Sequence, residues 1–365
     1  MTARGGSHPR AAARRRWHLV LPGSLEATTG GTRYDRRVVA GLRSAGWDAE
    51  VHELPGDYPR PKTADVAAAR CTFARVPDGA LVAVDGLALG ALPAEARAHA
   101  RRLRLVALVH HPLCDETGLA PAVRDALLAS ERASLAHVRA VVVTSASTAR
   151  RLAELDLVPA TTPVHVVEPG VDAAPPSPAR RPGETCRLVS VGGLTTRKAH
   201  DDAANALSGL TELDWTWTVV GRTDQESACA DALLTRVAAD GLRSRVEITG
   251  ELDDASLAAV LERSHVLVHP ARYEGYGMAV AEALSRALPA VVSTGGALGD
   301  TAPEDASLRF EPGDVDGLRD RLERVVRDAN VYASLRAGAE RARSATRPWE
   351  RVADAFRAVL EEVAE

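Results

Sequence analysis

Short segments rich in β-branched residues alternate with amphipathic segments rich in Ala, Leu and Arg from Trp17 onward. Such alternation is typical of an α/β protein with a mainly parallel sheet and helices on both faces. The predicted strands of the first half are WHLVLP, DAEVHEL, ALVAVDGLAL, RLVALVHHP, RAVVVTS and PVHVVEP. Five prolines interrupt the pattern within residues 169–184, and it then restarts with CRLVSVGGL, WTWTVVGR, RVEITGEL, HVLVHPARY and PAVVST. The sequence therefore predicts two successive doubly wound domains that face each other across a cleft.

Spacing and composition divide the chain into five segments. Residues 1–16 are basic and lack the apolar stretch of a signal peptide, so we interpret them as a disordered tail. Residues 17–168 and 185–346 are the two domains, and residues 169–184 link them. Residues 347–365 carry apolar residues at helical spacing, which predicts a helix with one apolar face. We expect this helix to cross back to the first domain.

Bulk composition excludes several classes of partner. The formal net charge is -4 over 365 residues, which gives no electrostatic basis for binding nucleic acid. No apolar segment approaches the roughly 20 residues of a membrane span. We expect no peripheral membrane contact, because no amphipathic helix accompanies the basic tail. The four cysteines form no metal-type pair, so we expect a reducing, cytoplasmic setting.

The segment HPARYEGYGMAVAEALSRALP, residues 269–289, carries two glutamates on either side of a helix start. HVLVHP before it is typical of a buried strand, and MAVAEALSRAL after Gly277 consists of good helix formers. Glu274 therefore follows a strand, and Glu282 lies about one turn into the next helix. Open α/β sheets bind anionic ligands at such strand ends and helix N-termini. The sequence predicts a ligand site with one carboxylate at each end.

Several motifs in order resemble one enzyme family. ARYEGYGMAVAEAL resembles the Glu-x7-Glu signature of the GT-B glycosyltransferases, in particular the large retaining family numbered four. VSVGGLTTRKAHDDAANAL resembles the first strand, loop and helix of that family's donor domain, and TGGTRYDRRV resembles its N-terminal glycine loop. HHP resembles its cleft histidine and VVEPGVD its hinge. The resemblance covers nearly the whole chain and implies a GT-B fold of two Rossmann-like domains.

The resemblance implies an enzyme that transfers a sugar from a nucleotide-sugar donor to a small, polar acceptor and retains the anomeric configuration. Glu274 and His110 would contact the transferred sugar as catalytic residues, and Glu282 would hold the ribose. Arg197, Lys198 and the amides of Gly277 and Met278 would bind the diphosphate. The remaining predicted residues of the donor site are Gly30, Gly31, Gly275 and Tyr276. No cofactor is implied beyond the donor substrate.

Four of these residues also have a purely structural interpretation. Gly30 and Gly31 could serve only a tight turn, and Arg197 and Lys198 could be a solvated surface pair. Lys198 is one of only two lysines among 45 basic residues, which favours a specific role. Many family members carry an arginine where this loop has Gly193, so phosphate neutralisation would fall to Arg197 and Lys198.

Two further features of the sequence allow more than one interpretation. His110 and His111 end a predicted strand, so we expect them to point to opposite faces, and spacing before the proline favours His110 at the cleft. The DVD sequence at residues 314–316 precedes a helix, so we predict a helix cap and no metal site.

Other activities stay open at this point. An epimerase or a phosphorylase of the same fold would also bind a sugar nucleotide or sugar phosphate, and a non-catalytic binder is the third alternative. A dehydrogenase would need a G-x-G-x-x-G turn followed by an acidic residue, which neither glycine loop supplies. The sequence does not identify the donor base, the sugar, the acceptor or the oligomeric state.

Overall fold

The computed structural model describes residues 15–365, and all strand pairings within that range are parallel. The first domain has one six-stranded sheet in the order β2-β1-β3-β4-β5-β6. Its strands, β1 to β6, are Arg16–Pro22, Asp48–Leu54, Leu81–Asp85, Arg104–Val109, Ala140–Val143 and Val164–Val166. Its helices, α1 to α6, are Gly30–Ser44, Thr63–Arg75, Gly86–Leu89, Pro93–His99, Pro121–Leu135 and Ala146–Glu154.

The second domain repeats this design with the strand order β12-β11-β10-β7-β8-β9. Its strands, β7 to β12, are Cys186–Val191, Trp215–Val220, Val246–Gly250, Val266–His269, Ala290–Ser293 and Ser307–Phe310. Its helices, α7 to α13, are His200–Ser208, Ser227–Ala239, Asp254–Arg263, Met278–Ser285, Leu298–Thr301, Val315–Arg327 and Ala329–Ser344. The strand order reverses between β7 and β10, so the loops after these two strands flank the crevice where doubly wound sheets bind ligands.

Helix α14 (Trp349–Ala364) lies against the first domain, although it follows the second in the chain. It packs on α1 and reaches β3, β4 and β5. Its buried face, which includes Trp349, Val352 and Phe356, belongs to the same apolar cluster as Trp17 of β1. The ring centroids of Trp17 and Phe356 are 5.8 Å apart. Burial of large aromatic and aliphatic side chains is the main stabilising term here, at about 25 cal/mol per Å² of apolar surface.

Three details differ from the sequence predictions. The first strand begins at Arg16, one residue inside the predicted tail, because Arg16 pairs with Asp48 of β2 in the sheet register. The rest of the predicted tail up to residue 14 lies outside the described residues. Strand β12, with the sequence SLRF, was not predicted, since four residues with an arginine show no clear apolar run. ALVAVDGLAL is a strand only to Asp85, whose side chain caps the short helix α3.

Asp314 is the N-cap of α12, as the sequence predicted. Its carboxylate accepts a hydrogen bond from the Gly317 amide at 2.9 Å. We expect Asp314→Ala to lower the free energy of unfolding by about 1 kcal/mol, the usual cost of losing such a cap. The matched control is Asp316→Ala, which removes a first-turn carboxylate and its exposed pair with Arg319 but no cap, and it should cost less than about 0.5 kcal/mol. Urea denaturation of both variants checks this, and equal losses would contradict the assignment.

Among the described residues, no helix combines the length and the apolar composition needed to cross a membrane.

Candidate active site

Glu274 lies on the loop after β10, at the crevice of the second sheet. It is 8% exposed, and the loop bridges to Gly296 beyond the next strand, β11. Lys198 forms an ion pair with one of its carboxylate oxygens, and His269 Nε2 lies 3.1 Å from the same oxygen. Arg197 Nη1 lies 3.4 Å from the other carboxylate oxygen of Glu274. Burial alone would raise the pKa of Glu274, but Lys198, His269 and Arg197 outweigh it and hold this pKa well below its usual range. Glu274 is therefore a buried carboxylate that stays ionised.

The two predicted cations thus meet at Glu274. They come from the loop after β7, the strand next to β10, so the reversal of strand order brings these loops together. The Arg272 amide donates to the Arg197 carbonyl at 2.8 Å, which ties the two loops to each other. Arg197 and Lys198 are accordingly not the freely solvated surface pair that was the structural interpretation. Gly193 in the same loop lies against Gln225 and takes no part in this cluster.

The turn EGYG leads directly into helix α10. Gly277 is its N-cap and has a φ of +95°, a backbone conformation that favours glycine. Tyr276 accepts a hydrogen bond from Thr301 through its carbonyl. The free amides at the start of α10, including that of Met278, carry the partial positive charge of the helix end. Gly275 fits closely against the carbonyl of His110 in the first domain, where a Cβ atom would collide.

Glu282 lies in the middle of α10 and is also 8% exposed. Its carboxylate pairs with Arg33, which α1 contributes from the other domain. Arg33 lies 3.5 Å from Asp172 as well, and Arg37 of α1 pairs with Asp172. Burial raises the pKa of Glu282, and Arg33 opposes that rise. Glu282 is thus a buried acceptor at the domain boundary.

The first domain contributes Gly30, Gly31 and His110 to the opposite wall of this cleft. Gly30 and Gly31 open helix α1, and Thr29 caps it. A Cβ at Gly30 would lie 3.6 Å from Met278 Sδ of the second domain, and one at Gly31 would lie 3.2 Å from the His110 ring. The structure therefore brings the predicted residues of both domains together around the start of α10.

Strand alternation does not set the directions of His110 and His111, because β4 ends at Val109. Both histidines lie in the cleft and face different partners. His111 Nε2 is 3.0 Å from Glu116, and its ring lies 5.9 Å from that of Tyr273 in the second domain. Glu116 is also 3.6 Å from Arg197, and its pairing with His111 contributes most to lowering its pKa.

Four acidic and basic residues of the first domain were missed by sequence reasoning: Arg33, Asp35, Asp85 and Glu116. Arg33 and Asp35 stand in the quoted TGGTRYDRRV motif, and their helical spacing could have placed them beside Gly30. Asp85 is the last residue of β3, and Glu116 lies in the segment after β4, at the carboxyl ends of strands where ligand-binding side chains are generally found. No signal within the sequence indicates that Arg33 pairs with Glu282.

Two groups of described residues bring three potential metal ligands within 4.8 Å of one another. They are His18, Glu50 and His52 on strands β1 and β2, and Asp35, Asp85 and His110 at the cleft. In the first group, His18 Nδ1 and His52 Nε2 are 3.0 Å apart, a distance at which one neutral imidazole donates a hydrogen bond to the other. Burial lowers the pKa of both rings, which favours the neutral forms.

Comparison with known proteins gives a consistent result for the second domain. Residues 185–328 match the family model described as "Glycosyl transferases group 1". The match covers 144 of the 365 residues, all within the second domain. The glycogen synthase of Mycobacterium tuberculosis is 32% identical over 203 residues, which is 54% of this chain and 48% of that protein. The chain spans about half the length of the curated relatives it matches.

Solved structures cover almost the whole chain and show its fold. Sucrose-phosphate synthase from Thermosynechococcus elongatus has a TM-score of 0.78 at 19% identity, covering 95% of this chain and 99% of that one. The Anabaena protein HepE in complex with UDP-glucose has a TM-score of 0.75 at 16% identity, covering 95% and 99%. The chain has the two-domain GT-B fold, as predicted, and the match to the group 1 model lies in its second domain.

Proposed function

We propose that this protein is a retaining glycosyltransferase that moves a sugar from a nucleotide-sugar donor to a hydroxyl or similar group of a small, polar acceptor. One observation carries the proposal. Glu274 and Glu282 are buried on either side of the start of α10, and two cations lie beside the first of them. A sugar nucleotide has hydroxyls at both ends and a diphosphate between them, and this arrangement offers a partner for each part.

In this proposal the diphosphate lies at the start of α10. The free amides there and the positive end of the helix dipole favour an anion. Arg197 and Lys198 supply the compensating charge, and the diphosphate would compete for them with Glu274. Glu282 accepts hydrogen bonds from the ribose hydroxyls. The complex of the similar protein HepE holds UDP-glucose, so we propose UDP-sugars as the first donors to test.

In the proposed reaction, one bond breaks and one bond forms at the anomeric carbon of the donor. The bond from that carbon to the diphosphate oxygen breaks, and a bond to the acceptor oxygen forms on the same face. The acceptor proton passes to the leaving diphosphate. Glu274 lies where positive charge would grow on the sugar, and an ionised carboxylate stabilises that charge electrostatically.

The experiment is a transfer assay with product analysis. The protein is incubated with a nucleotide sugar and a panel of polar acceptors, and proton NMR reads the anomeric coupling of the product. We expect a glycoside with the donor's configuration. An inverted product would contradict retention. Dependence on inorganic phosphate would indicate a phosphorylase, and conversion of the donor without any acceptor would indicate an epimerase or a hydrolase.

Glu282→Gln should raise the apparent KM for the donor more than it lowers kcat. The ribose is bound alike in the ground state and the transition state, so weakening this contact removes uniform binding. We expect KM to rise by about 10-fold, equivalent to about 1.4 kcal/mol. Steady-state kinetics with varied donor checks this. A lower kcat at unchanged KM would contradict the proposed role of Glu282.

A further inference from the structure

We propose that Asp35 and Asp85 are positioning residues that hold His110 as a fixed imidazolium at the cleft wall. The inference rests on the proposed function for its catalytic meaning, because His110 would face the donor there. Its structural part, a charged and oriented ring, stands on the geometry of three side chains. Neither of the two contacts of His110, with Asp35 and with Asp85, depends on the second domain.

The two carboxylates converge on one ring nitrogen of His110. His110 Nε2 lies 3.6 Å from Asp35 Oδ1 and 3.5 Å from Asp85 Oδ2. Asp35 comes from α1, Asp85 from the end of β3, and His110 follows β4. The other oxygen of Asp85 accepts a hydrogen bond from the Leu87 amide at 2.7 Å, which fixes the orientation of that carboxylate.

Among the described residues, His110 is the one positively charged group that lies beside the Asp35 carboxylate. It is 1% exposed, and neither of its carboxylate oxygens has a hydrogen-bond partner among the described residues. A buried carboxylate without a partner is costly unless it is neutralised or a cation lies beside it. His110 is the positive group that approaches it. If the His110 ring were neutral, the two negatively charged carboxylates would repel each other with no positive charge between them.

Other groups packed on the ring do not oppose this charge. Tyr34 of α1 meets it edge-on at 5.6 Å between ring centroids, and its hydroxyl donates to the Val167 carbonyl. Burial holds the pKa of Tyr34 well above its usual value, so this phenol stays neutral. From the second domain, the backbone of Gly275 lies against the carbonyl of His110 and brings no charged group. Burial disfavours the charged ring, but the two aspartates outweigh it and raise the pKa of His110 to about 10.

This arrangement limits what His110 can do. Its Nε2 atom is buried against the aspartates, so the 21% of the side chain that remains exposed belongs to other atoms of the ring. A ring that stays protonated near neutral pH cannot act as a general base. It can donate a hydrogen bond and place a positive charge beside the leaving diphosphate or the sugar hydroxyls. Asp35 and Asp85 fix both its charge and its orientation.

The direct test is an NMR titration of the full chain labelled at histidine, without any substrate. His110→Gln assigns the resonance. In the unsubstituted protein we expect the His110 ring to stay protonated until the pH approaches about 10. In Asp35→Asn and in Asp85→Asn it should lose its proton at least about one pH unit earlier.

Two results would overturn the proposal. One is a His110 ring that titrates near its ordinary value in the unsubstituted protein, which can be read even if neither variant folds. The other is stoichiometric binding of Zn²⁺ that removes the His110 signal and depends on both aspartates, because a metal-bound imidazole is neutral.

Activity gives a separate readout. The kcat of Asp35→Asn should fall at a lower pH than that of the unsubstituted protein, since His110 loses its charge earlier. An unchanged pH profile would contradict the catalytic part of the inference. If the protein transfers no sugar at all, the proposed function fails, while the NMR titration still decides the state of His110.

Discussion

Glu274→Gln should lower kcat by at least about 10-fold while binding of the bare nucleoside diphosphate is not weakened. Glutamine keeps the shape and some hydrogen bonds of glutamate but removes the negative charge. In the structure this charge is held ionised by Lys198, Arg197 and His269. Because positive charge on the sugar grows only as the bond to phosphate breaks, the loss should fall on the chemical step.

The measurement combines steady-state kinetics with titration of the nucleoside diphosphate. Glu282→Gln is the matched control, since it changes the same functional group at the other end of the site. Glu274→Gln should mainly lower kcat, whereas Glu282→Gln should mainly raise the KM for the donor. If Glu274→Gln lost nucleotide affinity while kcat survived, the roles of the two glutamates would be wrong.

Lys198→Ala should weaken donor binding by about 1.5–3 kcal/mol, the range for a hydrogen bond to a charged group. This corresponds to a rise in Kd of about 10- to 150-fold. The lysine lies beside Glu274, and in the proposed complex its charge would neutralise the diphosphate. Isothermal titration calorimetry with the nucleotide sugar measures the change.

Lys62→Ala is the control for this variant. Lys62 is the only other lysine of the chain, and it is exposed at the start of α2 in the first domain. Its loss should leave Kd unchanged at the same ionic strength. Equal affinities for Lys198→Ala and the unsubstituted protein would contradict a role of Lys198 in binding the diphosphate. Arg197→Ala should act in the same direction, because Arg197 also turns toward Glu274.

The fold and the second-domain half of the site could be predicted from local sequence. Strands such as RLVALV and CRLVSV are buried on both faces of parallel sheets, so they appear as continuous apolar runs. Glu274, Gly277 and Glu282 lie within nine residues along one turn and one helix. Their relative placement therefore follows from helix geometry alone.

The contacts between domains could not be predicted in this way. Arg33 and Glu282 are 249 residues apart in the chain, and their pairing depends on how two separately folded sheets approach each other. The Asp35–Asp85–His110 group joins three elements within the first domain, and each residue by itself is compatible with a surface position or a cap. Strand alternation does not apply to His110 and His111, because β4 ends at Val109, two residues before the predicted end of the strand.

The most direct test of the central claim is a thermal-shift comparison of nucleotide sugars, nucleoside diphosphates and nucleosides built on uridine, guanosine, adenosine and thymidine. A ligand that binds only the native state at 100 times its Kd adds about 2.7 kcal/mol of stability. We predict that the sugar nucleotides of one base raise the melting temperature, that the matching nucleoside raises it far less, and that Lys198→Ala loses most of the difference. No shift with any sugar nucleotide, or an equal shift with the nucleoside alone, would contradict a site built to hold both ends of a sugar nucleotide.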